Sequence, residues 1–143
     1  MEIKEITLPS DILITEINLL LSQLTTNEFN FSFDDLKSII NSNSDVLFGA
    51  FESNKLVGIL TLVTYRIPTG KHGRIEDVVV DKLSRGKGIG KALTIEAMQR
   101  GSVLNLDKLS LTSNPTRVAA NRLYQKIGFQ LRETNSYVYT YKK

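Results

Sequence analysis

Two periods of apolar residues alternate along this chain. From Asp11 to Leu24 the apolar positions Leu13, Ile17, Leu20, Leu21 and Leu24 fall three and four apart, which predicts an amphipathic helix opened by Pro9-Ser10-Asp11. Ser32 and Asp35 have the spacing of a capping box and predict a second, shorter helix. That helix turns Leu36, Ile39 and Ile40 inward and ends over Asn41 to Ser44. Ahead of both, Glu2 to Thr7 suits a short edge strand. From Asp45 the period shortens to two. Val46 to Glu52 and Lys55 to Tyr65 read as a hairpin joined tightly at Ser53-Asn54. Ile67 to Gly73, with Pro68 and two glycines, reads as a loop, and Arg74 to Asp81 as a strand whose apolar centre, Val78-Val79-Val80, is buried on both faces. A glycine-rich turn and a helix to about Arg100 follow, then a short strand over Lys108 to Thr112. Asn114-Pro115 opens a last helix, which Gly128 ends. Gln130 to Arg132 and Tyr137 to Tyr141 read as closing strands.

The predicted order is β-α-α-β-β-β-α-β-α-β-β, a mixed α/β sheet in one domain over residues 1–143. The strand–helix–strand unit around Val78 to Thr112 should be a right-handed crossover. Hydrophobic residues make up 41% of the chain and charged residues 23%, which excludes whole-chain disorder. The most apolar stretch, Ile12 to Leu24, is too short and too interrupted to span a membrane. Glu2, Lys4 and Glu5 precede any apolar run, so no secretory signal is expected and the location expected is cytoplasmic. Cysteine is absent and His72 is the one histidine, which removes disulfides, thiolate metal sites and cysteine nucleophiles; no metal is expected. The net charge of +3 is compatible with an anionic ligand, but no basic stripe with interleaved aromatics predicts nucleic-acid binding. Any catalysis must use carboxylates, tyrosine, backbone amides and a borrowed cofactor.

The turn Arg85-Gly86-Lys87-Gly88-Ile89-Gly90 lies between a strand and a helix start. Free amides and the helix dipole favour an anion there, and glycines allow close approach. Arg85, Lys87 and Lys91 add positive charge. A Walker A loop fails, because Arg85 and Ala92 occupy its first glycine and its hydroxyl position. A dinucleotide fingerprint is opposed by Lys91 at its third glycine and by the short remaining chain. A pyrophosphate cradle and a ligand-free tight turn remain.

Arg85-x-x-Gly88-x-Gly90, after its apolar strand, resembles the acetyl-coenzyme A signature of the GNAT-type N-acetyltransferases. A second block, Leu123-Tyr124-x-x-x-Gly128-Phe129, is similar to that family's Leu-Tyr-x-x-x-Gly-Phe. The two blocks span roughly Glu76 to Phe129. The resemblance implies that the fourth and fifth strands are parallel and splayed, with acetyl-coenzyme A between them. It implies backbone contacts to pantetheine along Val78, Val79 and Val80, and the pyrophosphate on Arg85, Gly86, Lys87, Gly88, Ile89 and Gly90 with Lys91 close by. Asn121 would bond the pantetheine arm, or else be a solvated helix asparagine. Tyr124 would be the general acid for the leaving thiolate; the structural alternative is a core tyrosine with its hydroxyl satisfied.

An amine must lose a proton to attack a thioester, which calls for a base. Alternation places Glu76 on the face of Val78 and Asp77 on the other. The run Ile75 to Val80 is similar to the corresponding strand of glucosamine-phosphate N-acetyltransferases, where the glutamate lies at the acceptor. Glu76 is therefore the candidate base and Asp77 the reserve, against a plain ion pair with Arg74 or Arg66. Arg66, Lys71, His72 and Arg74 form a cluster that would attract an anionic acceptor or simply be solvated. The resemblance implies direct acetyl transfer to a primary amine of a small molecule, such as an amino sugar or amino-acid-like compound. A protein or peptide amine, or a non-catalytic coenzyme A sensor, are the alternatives. Tyr137, Tyr139 and Tyr141 line one face of the last strand, and their edge together with the family's habit leads to the expectation of a homodimer.

Overall fold

The alternating segments pair into one sheet of five strands in the order β1-β2-β3-β4-β5. They are β1 (Glu2–Glu5), β2 (Asp45–Glu52), β3 (Lys55–Ile67), β4 (Gly70–Val80) and β5 (Lys108–Ser110). The helices are α1 (Asp11–Leu24), α2 (Phe33–Asn41), α3 (Ile89–Val103) and α4 (Val118–Lys126). This computed structural model describes residues 1–143, which form two compact units, Met1–Leu111 and Thr112–Lys143. No helix is long and apolar enough to cross a membrane.

In the first unit the local signals act as chemistry requires. Ser10 accepts from the Leu13 amide at 3.2 Å and starts α1. Ser32 and Asp35 bond reciprocally at 3.0 and 2.9 Å and start α2. Ser53 and Asn54, at φ 48° and 65°, make the two-residue hairpin turn. One face of the sheet carries a core of Ile6, Ile17, Leu20, Leu36, Leu47, Leu56, Ile59 and Val79. Leu36 is fully buried, so truncation to Ala costs about 2–5 kcal/mol. The opposite face packs on α3: a Cβ on Gly58 would lie 3.2 Å from both Ile89 and Leu93, so glycine there lets the helix approach.

Pairs β1–β2, β2–β3 and β3–β4 are antiparallel, and β4–β5 is parallel. The parallel register covers only His72↔Lys108, Gly73↔Leu109 and Arg74↔Ser110. Beyond Arg74, β4 runs on to Val80 with no β5 partner, the parting of the fourth and fifth strands that the resemblance implied.

Several expectations are corrected. The predicted loop from Ile67 to Gly73 is strand except for Pro68-Thr69, because pairing continues from Ile67↔Gly70 through Tyr65↔His72. Gly70 adopts φ 140° where a Cβ would collide with the Asp107 carboxylate. Arg66 and Lys71 thus sit on one face of the β3–β4 ribbon and His72 and Arg74 on the other, which divides the predicted basic cluster.

The second unit is α4 and its flanks. Asn114 to Arg117 is a turn ahead of α4 rather than its first turn: Asn114 Oδ1 accepts from Thr116, and the Arg117 amide bonds the Asn114 carbonyl. The predicted closing strands at Gln130–Arg132 and Tyr137–Tyr141 are absent, so the sheet has five strands and not seven. Alternation marks a segment able to pair; a strand also needs a ladder partner, and these residues have none. Tyr137 is 89% exposed.

Candidate active site

A bulge in β4 governs the site of the first unit. From Ile59↔Val79 to Thr61↔Glu76, β3 advances two residues and β4 three. The extra residue falls at Asp77, whose φ is 50°. Aspartate tolerates this left-handed conformation better than most residues. Alternation fails across the bulge. Ile75 pairs with Leu62 and Val79 with Ile59, so these two odd-numbered residues lie on opposite faces. Glu76, opposite Thr61, shares the α1/α2 face with Val79, whereas Val80, opposite Gly58, is on the α3 face. The expected common face for Glu76 and Val78 is thereby corrected: Val78 lies inside the irregularity.

Glu76 accepts from Arg74 Nε at 2.8 Å, so the ion pair forms with Arg74 and not with Arg66. Asp77 carries a raised pKa, first because surrounding protein withdraws water from its carboxyl, although the residue's surface stays open, and second because of the Glu76 charge. His72 Nε2 is buried without a hydrogen-bond partner, and its ring meets Tyr65 edge-on at 5.8 Å.

The glycine turn opens directly after β4. A 3-10 turn over Lys82–Ser84 leads to Gly86 and Gly88, at φ 82° and 79°. Only glycine holds such angles without strain, and no protein atom lies within 4 Å of where either Cβ would stand. The first helical bond of α3 runs from the Ala92 amide to the Gly88 carbonyl at 3.0 Å, so the amides of Ile89, Gly90 and Lys91 precede the ladder. Arg85, Lys87 and Lys91 are exposed around them.

The valines divide by role. Val79 is core, so its side chain is not available to a ligand. The Asp81 amide bonds the Val57 carbonyl at 2.8 Å, which makes Gly58↔Val80 a pair whose own polar groups turn away from each other. The Val80 carbonyl therefore points to the open edge, where Arg85 Nε donates to it at 3.1 Å. Lys87 pairs with Glu52 at 3.5 Å, and Ile89 is buried, leaving its amide as the useful group. Sequence reasoning missed Glu52 and Gln23. Gln23 donates to Asp81 Oδ1 at 3.2 Å and accepts from the Lys82 amide at 2.9 Å, holding the turn to α1. This bond is the main reason that the Asp81 pKa is lowered. Nothing local in the sequence marks either residue.

In the second unit Tyr124 is buried, 8% exposed, with Phe129 edge-on at 6.0 Å. Gly128 at φ 115° reverses the chain, and the Phe129 amide closes on the Tyr124 carbonyl at 2.9 Å. The Leu-Tyr-x-x-x-Gly-Phe block is thus a local fold around the tyrosine. No protein hydrogen bond engages its hydroxyl. Asn121 is not a free solvated residue: its amide donates to the Asn114 carbonyl at 2.9 Å.

An open glycine turn at a helix start, beside the end of a strand that runs on past its parallel partner, is the arrangement that this α/β fold presents. The profile of the acetyltransferase (GNAT) family matches residues 15–129, and the chain belongs to that family. It is 28% identical over 104 residues to mycothiol acetyltransferase of Renibacterium salmoninarum, covering 68% of this chain and 31% of that protein. The chain therefore spans about a third of that relative. It is 24% identical over 114 residues to the uncharacterized N-acetyltransferase YvbK of Bacillus subtilis, covering 73% of this chain and 72% of that one. An aminoglycoside acetyltransferase from an uncultured soil metagenomic sample shares the fold, with TM-score 0.84 and 20% identity over 99% of this chain and 96% of its own.

Proposed function

We propose that the protein transfers an acetyl group from acetyl-coenzyme A to a primary amine of a small molecule, with residues 1–143 acting as one acetyltransferase domain. The carrying observation is the glycine cradle: two positive-φ glycines facing open space beside amides that the helix leaves free. Such a cradle suits a pyrophosphate and has no packing reason to exist. It fits coenzyme A together with the open β4 edge, whose polar backbone groups suit an amide-bearing arm.

Acetyl-coenzyme A supplies the thioester; the chain supplies binding and proton handling. The amides of Gly86 to Lys91 hold the anion, with Arg85, Lys87 and Lys91 balancing its charge. Glu76 takes the proton from the acceptor ammonium, and Asp77, its pKa raised by lost hydration and by the Glu76 charge, is the reserve base. Tyr124 gives a proton to the leaving thiolate, the role its unengaged hydroxyl leaves open. Asn121 spends its side-chain amide on Asn114, so its contribution is to the shape of the α4 start. Tyr137, Tyr139 and Tyr141, exposed on an unpaired segment, support a homodimer in which a second copy covers them.

The test is an amine panel supplied with acetyl-coenzyme A, following free thiol release. Amine-dependent release supports the reading. Tight coenzyme A binding with no release from any amine, whether small molecule or peptide, would instead make the protein a coenzyme A sensor.

A further inference from the structure

The face of the sheet that carries Glu76 also carries unspent positive charge. Arg74 stands two residues before Glu76 on the same face, ahead of the bulge, and bonds it through Nε alone. The terminal nitrogens of the guanidinium have no protein partner, and the side chain is 40% exposed. Across the parallel pair, Ser110 lies beside Arg74 and the exposed Lys108 beside His72, on the same face by register. Asp45, opposite Val63, lies two strands away. From His72 to Glu76 this face thus carries two cations, Arg74 and Lys108, and the Ser110 hydroxyl against the Glu76 carboxylate. His72 Nε2 is occluded and takes no part.

We propose that the acceptor amine also carries a carboxylate, which docks on the free end of Arg74 with Ser110 and Lys108 beside it while the amine lies at Glu76. Guanidinium presents a planar fork that matches a carboxylate bidentately. Its Nε bond to Glu76 fixes the fork's direction, so less rotamer freedom is lost when the ligand binds. A polycationic acceptor would meet like charge at Arg74 and Lys108. The inference rests on the proposed acetyl transfer, since it deepens the acceptor side of that same site.

The experiment titrates matched pairs of amines, each an amino carboxylic acid and its neutral amide, into protein saturated with coenzyme A, by calorimetry. Charge-assisted hydrogen bonds should favour each binding acid over its amide by about tenfold or more. Arg74→Ala should erase the preference, and Arg74→Lys, which keeps the charge without the fork, should retain part of it. Equal affinity for acid and amide, no binding by any member, or a preference that survives Arg74→Ala would overturn the inference. Thiol release from acetyl-coenzyme A is followed in parallel. Acid-selective binding with no release would overturn acetyl transfer and leave the carboxylate site standing; release without selectivity would overturn the carboxylate site alone.

Discussion

Replacing Gly88 by Ala separates the anion cradle from a merely tight turn. Gly88 sits at φ 79°, and a Cβ added there meets nothing within 4 Å. In the left-handed region a side chain costs about 1–2 kcal/mol. The free protein can relax residue 88 out of that region, but a cradle holding an anion cannot, so the strain falls on binding. At 1.4 kcal/mol per tenfold, strain alone weakens coenzyme A binding by roughly 5- to 30-fold. The methyl group adds to this by standing in the open space of the cradle. The fold should survive, with a melting temperature lower by at most about 3–8 °C. Gly90→Ala is the internal control: its Cβ lies 3.9 Å from Val80, an ordinary contact within the protein. Alanine in a helix is favoured over glycine by about 0.5–1 kcal/mol, so this variant should hold or gain stability. Its coenzyme A affinity should stay within about threefold of the parent, because the added methyl faces protein rather than ligand. Calorimetry with coenzyme A and thermal melts of both variants decide the matter. Full affinity in Gly88→Ala, or an equal loss in Gly90→Ala, would refute the placement of the anion.

Glu76→Gln should be most impaired near neutral pH and recover partly in alkali, where more of the amine is already neutral. Tyr124→Phe should lose turnover without alkaline recovery; general acid–base losses run to about 10²- to 10⁴-fold, and near-normal turnover of both variants from pH 6 to 9 would refute both roles. Asp77→Asn should stabilise the protein at neutral pH: a raised aspartate pKa makes ionisation a cost that is absent below the ordinary value and grows as pH rises through the folded one. Because the residue is exposed the gain is about a few tenths of a kcal/mol, fading towards pH 4 in urea melts, and a variant less stable than the parent at pH 7 would contradict it. Light scattering should report a dimer, and a monomer at working concentration would remove the second copy from the proposal.

The sequence carried those features whose cause is local. Ser10, the Ser32–Asp35 box, the Ser53-Asn54 hairpin and the Gly86–Gly88 turn each specify their own backbone, and each appears where it was expected. What failed depended on partners distant in the chain. Whether Tyr137 to Tyr141 becomes a strand depends on a ladder that its own alternation cannot supply. Gly73 and His72 read as loop beside Pro68 and Gly70, yet pairing with Thr64 and Tyr65 makes them strand. The bulge was the costliest omission, since one extra residue reverses the face of everything beyond it. Asp77 as a bulge is invisible to a pattern of period two, because Val78-Val79-Val80 is apolar on both parities.

The turn shows why a protein would hold two residues at positive φ with no side chain to anchor them. Its ends are fixed from outside: Gln23 bonds both Asp81 and the Lys82 amide, and Arg85 bonds the Val80 carbonyl. Each such bond contributes about 0.5–1.5 kcal/mol, enough to offset part of the roughly 1 kcal/mol of extra backbone entropy that each glycine loses on folding. Ordering the turn in advance removes that cost from ligand binding. Arg85 accordingly does more than contribute charge. By engaging the Val80 carbonyl it ties the turn to the end of the open β4 edge, so that the anion site and the pantetheine edge proposed above would hold a fixed relation before either is used.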